Sequence, residues 1–297
     1  SIVREIYDRL LRYQHGVIPH HRSYEKTLSR ASGGHVCYEI APFNDVVMTM
    51  LRETERARVL LNTSCTAAHT DQATKRVAKV EAKDSGGQRF VIAATVFVDC
   101  TGGAYLCQAA GCETMLGVDA KNRFNEPGAP NEPVNRLNAP ELSYRIRRSD
   151  TPQRQPMPAG EQRRKGGYAY SLPSGDRMVN SCGGLGAGWE LIELGYDGMM
   201  KTLRARVQAH WHWLQQEKYP DYEFDSYAPM LAIRESYRIV GEYVLTQHDL
   251  VAGIKKQPHH DIIALADHPM DTHGSGGGIQ PVATPYGIPY RCLIPKG

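Results

Sequence analysis

The chain has 297 residues, of which 41% are hydrophobic and 23% are charged, and this composition is typical of folded proteins rather than of disordered ones. Its 35 basic and 32 acidic side chains give a net charge of only +3, which argues against nucleic acid or an anionic membrane as a partner. At this length we expect about two domains. No run of residues approaches the roughly 20 apolar positions that a membrane helix needs.

Cysteine usage favours a reducing compartment. The chain has seven cysteines, an odd number, and none of them stands in a Cys-x-x-Cys pair. Reduced thiols in the cytoplasm fit this pattern best. Cys107 and Cys112 are five residues apart in a predicted helix, a spacing that suits neither a zinc site nor a good disulfide, so we interpret both as packing residues.

The first half of the chain predicts alternating helices and strands. Apolar residues recur at helical spacing near the N-terminus and again after Pro42, and the residues at 84–87 are typical of a hairpin turn. In chain order, the predicted elements are helices at 3–11 and 42–51, a buried strand at 58–63, hairpin strands at 76–82 and 89–93, a buried strand at 95–99 and a short helix at 104–111. This order is typical of an α/β fold.

The second half begins with a change of composition. Residues 117–167 carry seven prolines and predict an irregular domain crossing with one or two strands. A hairpin is predicted at 168–171 and 177–180, and the apolar stripe of residues 191–218 predicts the longest helix. Thr246 and Asp249 have the spacing of a capping box, which predicts a short helix from there to Gly253.

Three segments carry the functional signal. Residues 96–103 read Val-Phe-Val-Asp-Cys-Thr-Gly-Gly, residues 234–241 read Arg-Glu-Ser-Tyr-Arg-Ile-Val-Gly, and residues 288–295 read Ile-Pro-Tyr-Arg-Cys-Leu-Ile-Pro. Together they resemble the bacterial FAD-dependent oxidoreductases of the FAD_oxidored type, and the resemblance extends over essentially the whole chain. The chain has no Gly-x-Gly-x-x-Gly turn between an N-terminal strand and helix to bind the pyrophosphate of a dinucleotide.

The resemblance implies an α/β protein with a glutathione-reductase-like, FAD/NAD(P)-binding-like domain and an inserted α+β substrate domain. The implied boundaries are 1–116 for a partial FAD-binding domain, 117–284 for the substrate domain, and 285–297 for a strand that returns toward the FAD-binding domain. Because the glycine-rich turn and a C-terminal flavin-binding segment are missing, we expect an internal fragment that carries little flavin when purified. FAD is the expected cofactor, and a small organic molecule, such as a carbohydrate-derived compound, is the expected substrate.

Four residues are expected to contact the cofactor. Thr101 and Gly102 follow the predicted strand at 95–99, where a glycine allows close approach of the backbone. The resemblance places Cys65 and Thr66 beside the FAD cofactor as well.

The chain departs from the family next to the Thr-Gly pair. Gly103 and Tyr105 stand at positions where the family usually carries acidic residues. An acidic side chain that would orient the start of the following helix or a polar group of the cofactor is therefore expected to be missing.

Catalysis and substrate binding are assigned to four further residues. His273 is the candidate base because imidazole titrates near neutrality, and its alternative is a surface histidine in a glycine-rich loop. Arg234 is the candidate for holding an anionic or hydroxyl-rich substrate, and equally it could pair with Glu235 or another buried carboxylate as part of the structure. Tyr290 and Arg291 are expected to line the same cavity, with core packing as the alternative for Tyr290.

Two functions of other classes stay open. The chain could be a non-catalytic small-molecule-binding module derived from a flavoprotein. It could also be a metal-dependent hydrolase, because seven His and Asp residues lie between His259 and His273. Their spacing matches no helical His-x-x-x-His pattern, so we assign no metal site.

Overall fold

The computed structural model describes residues 2–18, 37–181, 185–266, 270–272, 278–280 and 285–296. The chain divides into two compact units, each made of two stretches of chain. Unit 1 comprises Ser1–Arg58 and Ala139–Arg234, and unit 2 comprises Val59–Asn138 and Glu235–Gly297. Both units mix helices and strands, as the sequence predicts.

Helices form where apolar residues recur at helical spacing. In chain order they are α1 (Ile2–Leu10), α2 (Ile40–Glu53), α3 (Tyr105–Ala109), α4 (Lys121–Phe124), α5 (Glu190–Glu217) and α6 (Gln247–Ala252), followed by a 3-10 helix at Tyr290–Leu293. The predicted helices are confirmed by α1, α2, α3 and α5, and the capping box of Thr246 and Asp249 is present at the start of α6. Among the described residues, no helix is both long enough and apolar enough to span a membrane.

The strands build small antiparallel sheets. They are β1 (Thr63–Asp71), β2 (Arg76–Asp84), β3 (Arg89–Ala93), β4 (Thr114–Met115), β5 (Tyr144–Arg148), β6 (Tyr168–Ser171), β7 (Arg177–Asn180), β8 (Tyr222–Tyr227), β9 (Arg238–Ile239), β10 (Ile262–Ala266), β11 (Met270–Thr272), β12 (Gly278–Gln280) and β13 (Tyr286–Pro289). Unit 1 holds a four-stranded sheet in the order β6-β7-β5-β8, and unit 2 holds the sheet β1-β2-β3 with the pairs β4-β9, β10-β13 and β11-β12. Both predicted hairpins are confirmed, as β2-β3 and β6-β7.

Two predicted strands are wrong. Within 58–63 only the last residue belongs to a strand, as the first position of β1, and 95–99 contains no strand. Residues 96–102 therefore form no parallel sheet, and every strand pair of the described residues is antiparallel. An apolar run does not form a strand by itself, because the backbone N–H and C=O groups of a strand need hydrogen-bond partners on a neighbouring strand. Val96 and Val98 instead stand 73% and 75% exposed.

The core of unit 1 lies between α5 and the four-stranded sheet. Its buried side chains come from both layers and include Leu142, Tyr144, Ile146, Val179, Met199, Leu203, Val207, Trp211 and Leu214. The helical members recur every three or four residues, which confirms the predicted stripe. Leu194, near the start of the same helix, is 47% exposed, and the helix is kinked at the next residue, Gly195.

Unit 2 relies more on polar contacts, since both core clusters of the described residues lie in unit 1. The main sheet of unit 2 meets α3 where the Thr70 hydroxyl donates to the carbonyl of Ala110 at 3.2 Å. Farther along, the side chain of Gln257 exchanges hydrogen bonds of 2.6 and 3.1 Å with the backbone of Gly287. These bonds tie β13 to the segment before β10, the strand with which β13 pairs.

Candidate functional site

The Thr-Gly segment forms a hydrogen-bonded turn at the start of α3. Asp99 accepts hydrogen bonds from the backbone N–H of Thr101 at 2.8 Å, from its hydroxyl at 2.7 Å and from the backbone N–H of Cys107 at 3.0 Å. The Thr101 hydroxyl oxygen accepts the backbone N–H of Tyr105 at 2.9 Å. Partial burial acts to raise the pKa of Asp99, but the hydrogen bonds from Thr101 and Cys107 outweigh it and hold the pKa below its usual value. An ionised carboxylate therefore fixes the turn.

The acidic side chain that orients the start of α3 is thus Asp99, and the expectation that such a side chain is missing is wrong. The sequence resemblance places acidic residues after the glycine, at the positions of Gly103 and Tyr105. This chain supplies it two residues before Thr101. Asp followed two residues later by a backbone N–H that it binds is a common turn arrangement, so the Asp-x-Thr spacing was the available sequence signal.

Gly102 leaves one side of the turn open. Its φ of +76° lies in the left-handed region, and a Cβ built on it would meet no heavy atom within 4 Å. Thr101 and Gly102 are both exposed. At Gly103, by contrast, a Cβ would lie 2.9 Å from the Tyr105 ring and 3.2 Å from the Ser236 hydroxyl. The backbone is therefore open to approach at Gly102 and closed at Gly103.

Cys65 and Thr66 lie inside β1 rather than after a strand. A β-bulge falls at Thr66, where the register with β2 shifts between its two neighbours. Cys65 is exposed, and the Thr66 hydroxyl donates to the carbonyl of Glu81 at 3.3 Å. Within the described residues, no hydrogen bond links either side chain to the Thr-Gly turn, so their role at the cofactor stays a prediction.

Arg234 pairs with a buried carboxylate in unit 1. Its Nη2 lies 3.0 Å from Oε1 of Glu141, whose side chain is only 3% exposed, while the Arg234 side chain is 33% exposed. Glu235, the other partner considered from the sequence, accepts the backbone N–H of Asn138 at 2.7 Å instead. The alternative that Arg234 pairs with a buried carboxylate therefore matches a contact in the structure. The pair uses one terminal nitrogen, and a role in substrate binding stays a prediction.

Arg291 is held by Asp261 just after β13. The Arg291 backbone N–H and Nε donate to Oδ2 of Asp261 at 3.0 and 3.1 Å, and Nη2 donates to Oδ1 at 3.4 Å. Hydrogen bonds from the Arg291 side chain and backbone lower the pKa of Asp261 to about 2. Tyr290 is 51% exposed, so it does not pack in the core, and its backbone N–H donates to the Asp261 carbonyl at 2.8 Å.

A buried polar cluster that the sequence analysis did not single out joins Tyr243, Asp249 and His259. The Asp249 carboxylate accepts the Tyr243 hydroxyl and lies 2.9 Å from Nε2 of His259. Burial and Asp249 raise the pKa of Tyr243 to about 12. Burial acts to raise the pKa of Asp249, but bonds from Thr246, His259 and Tyr243 lower it overall. The His259 and Asp249 side chains are 3% and 6% exposed, so this cluster ties α6 to the segment before β10 rather than facing a substrate.

His273 lies outside the described residues, as do Asp267 and His268 from the same His- and Asp-rich run. The role of His273 as a base therefore stays a prediction. Of the members that are described, His259 and Asp261 are engaged by the contacts given above. Within the described part of the chain, no group of three or more His, Cys, Asp or Glu side chains is arranged to hold a metal ion.

The described site residues are divided between the two units. Arg234 belongs to unit 1, and Cys65, Thr66, Thr101, Gly102, Tyr290 and Arg291 belong to unit 2. Inside unit 2 they belong to different local networks, with Thr101 bound to Asp99 and Arg291 bound to Asp261.

Comparison with known proteins decides the family. A protein-family model described as FAD dependent oxidoreductase matches residues 1–297, which is the whole chain. The chain belongs to this family. Searches of curated proteins and of solved structures found no significant match. Membership in the FAD dependent oxidoreductases implies FAD as the cofactor and an oxidoreductase activity, and it confirms the resemblance found in the three sequence segments.

Proposed function

We propose that this FAD dependent oxidoreductase transfers a hydride between a small organic substrate and FAD, with a carbohydrate-derived compound as the first substrate class to test. Family membership over residues 1–297 carries the proposal, and the open backbone at Gly102 supports it. Bound FAD would supply the ring that accepts or returns a hydride. The chain itself must then hold the cofactor, orient the substrate and take up its proton.

Thr101 and Gly102 are proposed to lie against the cofactor. Asp99 already binds both the N–H and the hydroxyl of Thr101, so the contact comes mainly from the exposed backbone at Gly102. Because Asp99 also binds the backbone of α3, the shape of the turn is set before a ligand arrives, which lowers the entropic cost of binding. Cys65 and Thr66 are proposed to contribute from the bulge of β1, since bulges re-aim side chains.

Arg234, Tyr290 and Arg291 are proposed to contact the substrate. Glu141 holds one terminal nitrogen of Arg234, which orients the guanidinium and leaves its other donors for a carboxylate or hydroxyl group. Tyr290 offers a half-exposed hydroxyl and ring. His273 is proposed to accept, on an imidazole nitrogen, the proton that the substrate loses as its hydride departs.

A pair of glycine variants tests the cofactor contact. Gly102→Ala places a methyl group on the open face of the turn, and Gly87→Ala, in the β2-β3 turn of the same unit, is the matched control because its φ is +87°. The affinity for added FAD is measured by fluorescence polarisation. We expect the wild type and Gly87→Ala to bind FAD with equal affinity, and Gly102→Ala to bind it at least about tenfold more weakly. Equal affinities for all three proteins would remove Gly102 from the cofactor site.

The proton acceptor is tested by the reduction of bound FAD in rapid-mixing experiments with a panel of sugars and sugar acids. His273→Ala should slow this half-reaction by about 10²-fold or more while leaving the FAD content unchanged. An unchanged rate of flavin reduction would exclude His273 as the base.

A second candidate function is a non-catalytic small-molecule-binding module. The observation that favours it is that the described residues at 96–102 form no parallel sheet. This function predicts that the chain binds a small molecule, seen as a shift of its melting temperature, without bleaching the absorbance of FAD. Any substrate-dependent bleaching would reject it.

A further inference from the structure

Helix α3 ends earlier than its sequence suggests, in a motif that folds the chain back over the last turn. The backbone N–H of Cys112 donates to the carbonyl of Cys107 at 2.9 Å, and that of Gly111 donates to the carbonyl of Gln108 at 3.0 Å. Gly111 has a φ of +82°. This pair of bonds around a left-handed glycine is the Schellman motif, which folds its two outer residues toward each other and frequently includes a contact between their side chains.

The two outer residues of the motif are Cys107 and Cys112. In a continuous helix, residues five apart point in different directions, and a disulfide is not formed. Here the motif folds the backbone of Cys112 back against that of Cys107. The Asp99 carboxylate lies beside the pair and accepts the backbone N–H of Cys107 at 3.0 Å. Both cysteines are half-buried and carry free thiols.

We propose that Cys107 and Cys112 are a redox-sensitive pair that forms a reversible disulfide on exposure to hydrogen peroxide. Peroxide oxidises the Cys112 sulfur to a sulfenic acid and releases water. The Cys107 sulfur then attacks the Cys112 sulfur, forming the S–S bond, and the sulfenic hydroxyl leaves with the Cys107 proton as a second water. In total, two thiols lose two electrons and two protons to one peroxide, and an added dithiol returns them.

The surroundings of the pair assign the order of these steps. Burial and the nearby Asp99 carboxylate raise the pKa of Cys107 to about 12, so this sulfur keeps its proton and reacts second. Asp99 also binds Thr101. Asp99 also accepts the backbone N–H of Cys107 at 3.0 Å, so a disulfide at Cys107 acts on a residue that is bonded directly to the carboxylate that fixes the Thr-Gly turn.

Peptide mass spectrometry tests the disulfide. Trypsin releases residues 90–121 as one peptide with three cysteines, so Cys100→Ser is the background that isolates the pair. In this background, peroxide followed by iodoacetamide should give a peptide with no label and a mass lower by two hydrogens, and prior treatment with dithiothreitol should restore two labels. Cys107→Ser in the same background should lose the reversible product. Retention of both labels, or stable oxidation of Cys112 with Cys107 still labelled, would overturn the proposal.

A second pair of variants tests the geometry with both thiols present. A Cβ on Gly111 would meet no heavy atom within 4 Å, so any effect of a side chain there comes from the backbone angle. Asn tolerates the left-handed conformation and a β-branched residue does not. Gly111→Asn should form the disulfide at a rate within about twofold of the wild-type rate. Gly111→Val should form it at least about tenfold more slowly than the wild type. Equal rates in Asn and Val variants would show that the motif does not place the thiols. Because none of these measurements involves FAD, they stand apart from the test of the proposed function.

Discussion

Replacing Arg234 with methionine separates a structural role of this side chain from a role in substrate binding. Methionine keeps most of the apolar stem and removes the guanidinium. Glu141 is 3% exposed, so the variant leaves a buried carboxylate without its partner. Removing one member of a buried ion pair lowers the free energy of unfolding by about 3–5 kcal/mol. We expect a loss of about 3 kcal/mol, because the Arg234 side chain is 33% exposed and water can enter the space that it leaves beside Glu141.

Glu141→Gln is the matched control for this prediction. The amide keeps the shape of the side chain and an oxygen that accepts a hydrogen bond from Arg234. The guanidinium left behind is one-third exposed and can turn toward water, so we expect a loss of about 1 kcal/mol. The arginine variant should therefore be the less stable of the two by about 2 kcal/mol.

Tryptophan fluorescence measures the loss in the relevant unit, because the three tryptophans of the chain, Trp189, Trp211 and Trp213, all lie in unit 1 with this pair. Urea unfolding should show a lower midpoint with an unchanged slope. A wild-type midpoint for Arg234→Met, or a larger loss for Glu141→Gln, would refute the reasoning from the buried carboxylate. A wild-type midpoint together with lost substrate turnover would instead assign Arg234 to the substrate.

Three further predictions follow from local contacts. Burial lowers the pKa of His210, so as pH falls below about 6.5 the unfolded chain binds a proton that the folded chain does not. The urea midpoint should therefore fall as pH falls, and His210→Gln should make the midpoint less dependent on pH. NMR of the Asp261 carboxyl carbon should give a pKa of about 2, and Arg291→Gln should return it toward about 3.9, so stability from this pair is present above about pH 4 and lost as pH falls to about 2. Thr246→Ala removes half of a capping box at a cost of about 1 kcal/mol, which should appear as faster amide exchange in α6; unchanged exchange would contradict it.

Helices and hairpins were predictable because their signals are local. The apolar stripe of α5 recurs at a spacing that only a helix converts into one face, and the stripe is buried. The turn at 84–87 carries Asp-Ser-Gly-Gly between two alternating runs, and β2 and β3 pair around it.

The strands at 58–63 and 95–99 could not be predicted correctly because a strand depends on a partner elsewhere in the chain. Both runs are rich in apolar residues, which predicted buried strands. The more polar run Thr63–Asp71 forms a strand because β2 pairs with it along its whole length. Local composition contains no information on which run finds a partner.

In the candidate site, too, local features could be predicted from the sequence, and features that depend on the folded chain could not. The Thr-Gly turn was found from its residues, but the role of Asp99 depends on hydrogen bonds that close only when the chain turns. The approach of the Cys112 backbone to that of Cys107 depends on where α3 ends, which the apolar pattern of the sequence does not fix. Helix ends are the least certain part of any sequence-based assignment.

The stretch at 90–98, Phe-Val-Ile-Ala-Ala-Thr-Val-Phe-Val, has a consequence for handling the protein. It has no charge and no proline, and Val91, Val96 and Val98 are 67%, 73% and 75% exposed. Uncharged segments rich in β-branched residues are the ones that recruit identical copies into intermolecular sheets. Solutions of this chain should therefore become turbid with increasing concentration, and a lysine in place of Val96 should keep them clear.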